Sequence, residues 1–302
     1  MITRFAPSPT GPLHLGHAYS ALLAFDMAMA ANGTFLLRIE DIDRQRSKPE
    51  WEAQIYEDLA WLGLTWAEPV MRQSERQAAY DAALDALWDR ALLYPCHCNR
   101  RDILEAASAP QEGAPLLGPD GIVFNRSMCP CEAPAFAEPR PRGGTAALRL
   151  SMAQASLAKN GFTHRTEPNR AWRRVRCFTE TGKGPDGQHG LIEVDYDALQ
   201  NDVGDVVLAR RDMGTSYHLS VVLDDAAQGV THVVRGQDLF EATQIHVALQ
   251  GLLYLPTPTY HHHRLIRDDA GKRLAKRDDA RAISRYRADG ASPDDIRRMV
   301  GL

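Results

Sequence analysis

The hydrophobic pattern of this chain switches repeatedly between the period of a strand and the period of a helix. Phe35, Leu37 and Ile39 stand at alternate positions, which predicts a strand over residues 34–42. An alanine- and leucine-rich stretch predicts a helix over 18–31, because an Asn-Gly pair typical of helix ends follows it directly. With a short apolar run before residue 6, the first forty residues predict a strand, a turn, a helix and a second strand.

The rest of the chain continues this mixture. The capping-box spacing at Ser47 predicts the start of a helix, and Ser292 predicts the start of a last, short one. Further segments with helical spacing lie at 73–93 and 240–253. Segments typical of strands lie at 145–150, 203–210, 219–223 and 231–234. Because several predicted strands end in polar residues, the pattern indicates an α/β fold whose ligand site lies at the carboxyl edge of a parallel sheet.

The overall composition adds little to this picture, but the distribution of charged residues changes it. The 302 residues are 44% hydrophobic and 25% charged, which is ordinary for a globular protein. No run of 18 apolar residues and no signal-like start is present, so we expect a cytoplasmic protein without membrane contact. The net charge of −4 does not indicate a nucleic-acid partner, yet arginines and lysines cluster at 170–176 and 264–287.

Four of the five cysteines form two Cys-x-Cys pairs. Cys96 and Cys98 flank His97, and Cys129 and Cys131 follow about thirty residues later. Four thiolates suit a tetrahedral structural Zn²⁺, which would hold together a segment rich in proline and glycine. Two alternatives stay open: unrelated thiols, or His97 in place of one cysteine. A closed site of this kind leaves no position for chemistry, so we expect a structural role.

A second motif covers residues 4–17, with the sequence Arg-Phe-Ala-Pro-Ser-Pro-Thr-Gly-Pro-Leu-His-Leu-Gly-His. A strand, a tight turn and a helix N-terminus make an anion site, because free backbone N–H groups and the helix dipole point at the ligand. His14 and His17 could donate to phosphate oxygens, and Gly16 would let a flat ligand approach the backbone. The alternative is a structural turn with two solvent histidines.

Two further charged segments suit the same ligand class. The strand ending at Ile39 runs into the acidic and basic residues of 38–43, at the strand end where open α/β sheets bind ligands. A glycine-preceded loop at 272–277 carries lysines and arginines that suit a polyphosphate. Each segment alone could equally be a solvated surface.

These motifs, in this order, resemble those of class I aminoacyl-tRNA synthetases. His14-Leu15-Gly16-His17 is similar to their first signature, and Arg273-Leu274-Ala275-Lys276-Arg277 is similar to the second, in a glutamyl form. The Arg-Phe-Ala-Pro-Ser-Pro-Thr-Gly stretch resembles the glutamyl and glutaminyl branch. Within that branch the chain resembles the short paralogues of glutamyl-tRNA synthetase, the glutamyl-Q tRNA(Asp) synthetases.

The resemblance implies a domain organisation. We expect an α/β, Rossmann-like catalytic domain formed by 1–93 and 200–302. We expect an inserted, zinc-containing subdomain of the acceptor-binding type at 94–199. The sequence ends at Leu302, soon after the second signature, so no anticodon-binding domain is expected.

The resemblance also implies a reaction and its partners. L-glutamate and ATP, with Mg²⁺, would give glutamyl-adenylate and pyrophosphate without any need for tRNA. The glutamate would then pass to the queuosine base in the anticodon of tRNA(Asp). We expect a monomer. Two alternatives stay open: a truncated glutamyl-tRNA synthetase that charges a tRNA 3′ end, and a paralogue that binds tRNA without catalysis.

Site residues follow by the same resemblance. ATP would contact His14, Gly16, His17 and Lys276, with His14, His17 and Lys276 acting in catalysis. Glutamate would contact Arg4, Ser8, Glu40, Tyr217 and Arg235. These five supply guanidiniums for two carboxylates and a carboxylate for an ammonium, which is the complement that glutamate needs.

The chain departs from the family pattern in two places. Arg273 and Ala275 stand where relatives often carry Lys and Ser, whereas Lys276 is kept. The zinc site of relatives often uses a tyrosine four residues before the last cysteine, and that position holds no tyrosine here. We therefore expect Cys131 to be the fourth ligand, beside Cys96, Cys98 and Cys129.

Overall fold

The computed structural model describes residues 1–99, 101–103, 117–119, 121–131, 140, 146–158, 163–165, 173–267 and 281–302. The second signature, with Arg273, Ala275, Lys276 and Arg277, lies outside the described residues. Among the described residues, no helix has the length and apolar character needed to cross a membrane.

The strands in chain order are β1 Ile2–Phe5, β2 Thr34–Ile39, β3 Ala67–Arg72, β4 Leu93–Cys96, β5 Leu117–Gly118, β6 Gly121–Ile122, β7 Ala147–Leu150, β8 Thr163–Arg165, β9 Arg173–Glu180, β10 Gly190–Asp195, β11 Val206–Ala209, β12 His232–Gly236 and β13 Thr259–His263.

The helices in chain order are α1 Leu15–Ala30, α2 Pro49–Trp61, α3 Gln77–Trp88, α4 Met152–Leu157, α5 Tyr196–Asp202, α6 Tyr217–Ala227, α7 Ala242–Leu252, α8 Ile283–Ala288 and α9 Pro293–Val300. Short 3₁₀ segments occupy Gln73–Glu75, Arg126–Met128 and Gln237–Leu239.

The α/β architecture predicted from the sequence is confirmed. Strands β1, β2 and β3 form a parallel sheet in that order. A second sheet has the order β10-β9-β13-β12, with β8 on β9, and its β13 pairs in parallel with both β12 and β9. A small antiparallel sheet joins β11, β7 and β4. The carboxyl ends of β1 and β12 lie close together: the Arg4 side chain donates to the Val234 carbonyl at 3.4 Å.

Two large hydrophobic clusters support these sheets. One packs β1 and β2 against α1, α2 and the C-terminal helices, and it includes Phe5, Leu22, Leu37, Leu59 and Ile296. The other packs α3, α6 and α7 against the second sheet, and it includes Leu84, Phe178, Val222, Val233 and Val247. Arg297 also donates to both carboxylate oxygens of Asp26, at 2.7 and 2.9 Å, which fastens α9 to α1.

The predicted division of the chain at 93/94 and 199/200 stays a prediction. Strands β9 and β10 belong to the segment predicted as the insertion, yet β9 pairs with β13 from the segment predicted as catalytic. The two segments therefore share a sheet, whatever boundary is drawn between them.

One predicted strand is wrong. Residues 219–223 lie in α6, a helix whose N-terminus is capped by the Ser216 side chain. Most of its length is buried, including Leu219, Val222 and Asp225. A helix buried on most sides has no polar face, so its short apolar run carries no helical period and reads like a buried strand.

Several predicted boundaries also move. The capping box at Ser47 is wrong, because α2 begins at Pro49, Lys48 is its N-cap residue, and no side chain caps it. The helix predicted over 73–93 is a 3₁₀ turn followed by α3, and the chain then enters β4. The capping box of the last helix at Ser292 is confirmed.

Candidate active site

A cavity of about 380 Å³ opens where the carboxyl ends of β1, β2 and β12 meet the N-termini of α1 and α6. The sequence-predicted residues that line it are Arg4, His14, Gly16, His17, Glu40, Tyr217 and Arg235. Ser8 lies in the turn after β1 but is not among the described residues that line the cavity. Lys276 lies outside the described residues, so its position stays a prediction.

His14 and His17 cap α1 with their imidazole rings. The backbone N–H of Gly16 donates to His14 Nδ1, and the backbone N–H of His14 donates to His17 Nδ1, both at 3.1 Å. Both Nδ1 atoms therefore accept hydrogen bonds, which places the ring proton of each neutral imidazole on Nε2. The ring centroids lie 3.8 Å apart. This pair explains why α1 starts at Leu15 rather than at residue 18.

This arrangement suits an anion at the helix start. The positive end of the dipole of this 16-residue helix lies at the cavity that both histidines line. His14 is 8% exposed, so the alternative of two solvent histidines is wrong for this residue. A Cβ on Gly16 would lie 3.0 Å from His14 Cε1, so the glycine leaves room for the capping ring as well as lining the cavity.

On the β1 side, a buried carboxylate joins two guanidiniums. Asp225 Oδ1 accepts from Arg4 Nε at 3.0 Å and from Arg38 Nη1 at 2.7 Å. Burial alone would raise the pKa of Asp225, but the two guanidiniums outweigh it and hold the pKa below its usual value. We call these three residues the Asp225 clamp. They form a buried ion network, and its Arg4 lines the cavity.

Glu40 extends this network into the cavity. Its Oε1 accepts from Arg38 Nη2 at 3.1 Å, and the residue also lines the cavity. Burial raises the pKa of Glu40 even though Arg38 and Arg4 oppose the shift. A cationic group placed beside Glu40 would offset that burial, so this position suits an ammonium.

Arg235, which also lines the cavity, is held differently. Its Nε donates to His262 Nε2 and its Nη1 donates to His246 Nδ1, each at 3.1 Å. Its Nη2 donates to Thr243 Oγ1 at 2.6 Å and to the Leu239 carbonyl at 3.2 Å. All four acceptors are uncharged side-chain or backbone atoms. We call this group of contacts the Arg235 clamp.

The ends of the segment that carries Lys276 lie beside the cavity. Ile266, just before the undescribed residues 268–280, lines it. Ala282, just after them, pairs with His14, and the Ile283 N–H donates to the Leu13 carbonyl at 2.8 Å. The described residues on both sides of 268–280 therefore lie beside the cavity.

The structure also brings the four predicted cysteines together. The sulfurs of Cys96, Cys98, Cys129 and Cys131 all lie within 4.8 Å of one another. Two of the S···S distances are 3.7 and 3.8 Å. Tetrahedral zinc with Zn–S of about 2.3 Å places sulfurs about 3.8 Å apart, so the donor set fits the metal. His97 does not belong to this group, and its side chain is exposed.

Neighbouring cations support the cysteine cluster. Arg126 donates to the carbonyls of Cys129 and Cys131, at 3.2 and 2.7 Å. Arg211 donates to the Cys98 carbonyl at 3.2 Å. Four thiolates around Zn²⁺ carry a net charge of about −2, and two nearby guanidiniums offset a charge of that size.

Some functional residues were not visible in the sequence. Asp225 read as the end of a strand, whereas in a helix it lies roughly two turns from Tyr217. Had residues 219–223 been interpreted as part of a helix, the helical spacing would have placed Asp225 on the same side as Tyr217. His262 lies two residues before the basic cluster at 264–287, and its partner Glu180 is 82 positions away, so no local pattern could join them.

Comparison with known proteins gives a consistent family. The sequence matches the family described as "tRNA synthetases class I (E and Q), catalytic domain" over residues 1–120 and 147–302. A protein named glutamyl-Q tRNA(Asp) synthetase from Rhodobacter capsulatus is 62% identical, with 100% of both chains covered. A protein of the same name from Nocardia farcinica is 38% identical over 98% of this chain and 82% of its own length.

Solved structures agree with this match. A glutamate tRNA ligase from Elizabethkingia meningosepticum, crystallised in complex with its amino acid, superposes with a TM-score of 0.72 at 25% identity. The superposition covers 100% of this chain but 60% of that ligase, which is therefore the larger protein.

Proposed function

This chain belongs to the class I tRNA synthetases of the glutamyl and glutaminyl type, and we propose that it activates glutamate with ATP and transfers it to the queuosine base of tRNA(Asp). The relatives named glutamyl-Q tRNA(Asp) synthetase support the acceptor, since one of them matches over the full length of both chains. The same family resemblance supports activation without tRNA.

One observation carries the proposal. A single cavity holds two imidazole donors at a helix N-terminus, the half-buried carboxylate of Glu40, and a guanidinium that contacts no carboxylate among the described residues. The first feature suits the phosphates of ATP. The other two suit the ammonium and a carboxylate of an acidic amino acid.

The chemistry needs positioning and charge stabilisation rather than a protein nucleophile. A carboxylate oxygen of glutamate attacks the α-phosphorus of ATP, an O–P bond forms, and the bond to the bridging oxygen of the β-phosphate breaks as pyrophosphate leaves. Negative charge spreads over the phosphate oxygens in this transition state. Hydrogen bonds from Nε2–H of His14 and His17 would stabilise that charge where it develops.

The glutamate contacts divide by charge. Arg235 and Arg4 would bind carboxylates, Glu40 would bind the ammonium, and the Tyr217 hydroxyl would orient the substrate. Ser8 would add a contact from the turn after β1. Gly16 would keep the helix start open to the nucleotide.

Lys276 would steady the phosphates of ATP. Its role rests on the signature that it shares with the family and on the described residues before and after 268–280, which lie beside the cavity. Mg²⁺ would enter with ATP.

Zinc would be held by Cys96, Cys98, Cys129 and Cys131. It would supply a structural cross-link between β4 and the segment after β6, with no open position for substrate. The described contacts place this site outside the residues that line the cavity.

One assay series tests the proposed function. Purified protein is given labelled glutamate and ATP, then tRNA(Asp) from cells that make queuosine and, as the matched control, from cells that lack it. We expect adenylate formation without tRNA and transfer only to the queuosine-containing tRNA. Transfer to a 3′ end regardless of queuosine would indicate ordinary charging, and absence of any adenylate would indicate a non-catalytic paralogue.

A further inference from the structure

Arg235 is a buried cation without an ion pair among the described residues. It is 6% exposed and lines the cavity. Arg4 and Arg38, in contrast, share the carboxylate of Asp225. A buried guanidinium that keeps its charge unmatched is costly, unless a ligand supplies the anion.

The hydrogen bonds of Arg235 define which atoms around it carry protons. A guanidinium can only donate, so His262 Nε2 and His246 Nδ1 must both be acceptors. Four of its five N–H groups are directed at described acceptors, which leaves one on Nη1. The Tyr260 ring lies 5.2 Å from Cζ and covers one face of the guanidinium. Arg235 is therefore fixed in orientation.

Glu180 sets the tautomer of His262. Because His262 Nε2 accepts, its proton is on Nδ1, which donates to Glu180 Oε2 at 2.5 Å. The other carboxylate oxygen accepts from the backbone N–H groups of His262 and Gly182, at 2.9 and 2.7 Å. Glu180 is 1% exposed, so its carboxylate is shielded from solvent and depends on these hydrogen bonds.

The charges in this chain of contacts are separated. Burial would raise the pKa of Glu180, but the hydrogen bonds from His262 outweigh it and the pKa is lowered. Burial lowers the pKa of His262, and the neighbouring Arg235 acts in the same direction. The carboxylate is therefore ionised and the imidazole neutral, with the ring standing between the carboxylate and the guanidinium.

We infer that Glu180 and His262 are positioning residues that hold Arg235 as a charged anchor for the carboxylate of the substrate. A carboxylate in direct contact would orient Arg235 but would also cancel its charge. A neutral imidazole in the correct tautomer orients it and leaves the charge for the ligand. The inference rests on the proposed function, because the carboxylate in question belongs to glutamate.

Glu180→Gln tests this inference with a change of one atom. The amide NH₂ would donate to His262 Nδ1 and favour the opposite tautomer, whose Nε2–H would face the N–H of Arg235. We expect the KM for glutamate to rise about 10- to 100-fold, and the preference for glutamate over glutamine to fall. Effects of this size follow in other proteins when a carboxylate that orients a functional histidine is removed. The KM for ATP should stay within about twofold.

Asp205→Asn is the matched control. Asp205 is also a buried carboxylate, and it accepts from the Tyr94 hydroxyl and the Met152 N–H, each at 2.8 Å. It does not line the cavity. This variant should lower the melting temperature and leave the KM for glutamate and the glutamate preference unchanged.

A second measurement does not depend on any variant folding. In wild-type protein labelled with ¹⁵N-histidine, His262 should show a protonated Nδ1 and an unprotonated Nε2. A proton on Nε2, or an unchanged KM and preference in Glu180→Gln, would overturn the inference. So would equal rises in KM for glutamate and ATP. If wild-type protein makes no glutamyl-adenylate, the proposed function fails instead, while the tautomer result still stands by itself.

Discussion

Two guanidinium clamps contribute to the lining of one cavity, and they are built on opposite principles. In the Asp225 clamp, Arg4 and Arg38 meet an ionised carboxylate directly. In the Arg235 clamp, the cation meets neutral imidazoles, a hydroxyl and a carbonyl. With Glu40, which pairs with Arg38, the first arrangement sets two carboxylates against its two guanidiniums, and these ion pairs stabilise the fold. The second leaves a charge to be satisfied by something that enters the cavity.

Loss of Arg235 should have the largest effect on activity. Arg235→Gln is expected to lower kcat/KM for glutamate about a thousandfold, or roughly 4 kcal/mol, because a buried carboxylate of the substrate would lose its partner. Pyrophosphate exchange at varied glutamate concentration measures this. Arg176→Gln is the control, since Arg176 is also held by neutral acceptors, at Leu255 and Thr257, but lies outside the cavity lining. Equal losses of kcat/KM in Arg235→Gln and Arg176→Gln would show that Arg235 has no special role in binding glutamate.

Loss of Asp225 should act mainly on stability. Asp225→Asn leaves two buried guanidiniums without their shared carboxylate, and breaking a buried pair in this way costs about 3–5 kcal/mol. Urea unfolding measures the change. The expected stability loss is larger than that of Arg176→Gln. A variant as stable as wild type would show that the Asp225 clamp is not the structural one.

Loss of a zinc ligand should lower the free energy of unfolding without changing the contacts of either clamp. Cys131→Ser is expected to lose bound zinc and, if free zinc stands 100-fold above its Kd, about 2.7 kcal/mol of stability. The KM for glutamate should not change at a temperature where the variant stays folded. Cys177→Ser is the control, because Cys177 lies in β9 outside the cysteine cluster. Unchanged zinc content in Cys131→Ser would mean that Cys131 is not a ligand.

The two clamps should also respond to different pH ranges. Burial, with Arg235 and His218 acting in the same direction, places the pKa of His246 well below 6.5, so below pH 6.5 the unfolded chain binds this proton first. Stability therefore falls as pH drops below 6.5 towards the folded pKa, by up to about 1.4 kcal/mol per pH unit for each such histidine. The lowered pKa of Asp225 acts only below its ordinary value of 3.8.

Unfolding free energies measured between about pH 5 and 7 separate these contributions. His246→Gln should reduce the slope of stability against pH, and Asp225→Asn should leave the slope unchanged. An unchanged slope in His246→Gln together with a reduced slope in Asp225→Asn would contradict the protonation states assigned to these two residues.

The local chemistry of the cavity could be predicted from the sequence to a large extent. The strand, turn and helix around residues 4–17 carry their own signals, since proline, glycine and apolar periodicity act over a few residues. The proximity of the four cysteines was predicted in a different way, from two Cys-x-Cys pairs and the geometry of zinc. The identity of α6 could not be predicted, because a buried helix hides its period.

By itself the sequence determined which chemical groups this protein has and much of the short-range structure that presents them, whereas the imidazole caps that start α1 at Leu15 became visible only in the structure. Tertiary structure alone decided how charges are matched: Asp225 reaches Arg4 across 221 positions, and Glu180 reaches His262 across 82. The reason is physical. A pKa and a tautomer depend on burial and on neighbours brought together by folding, and a linear pattern carries neither.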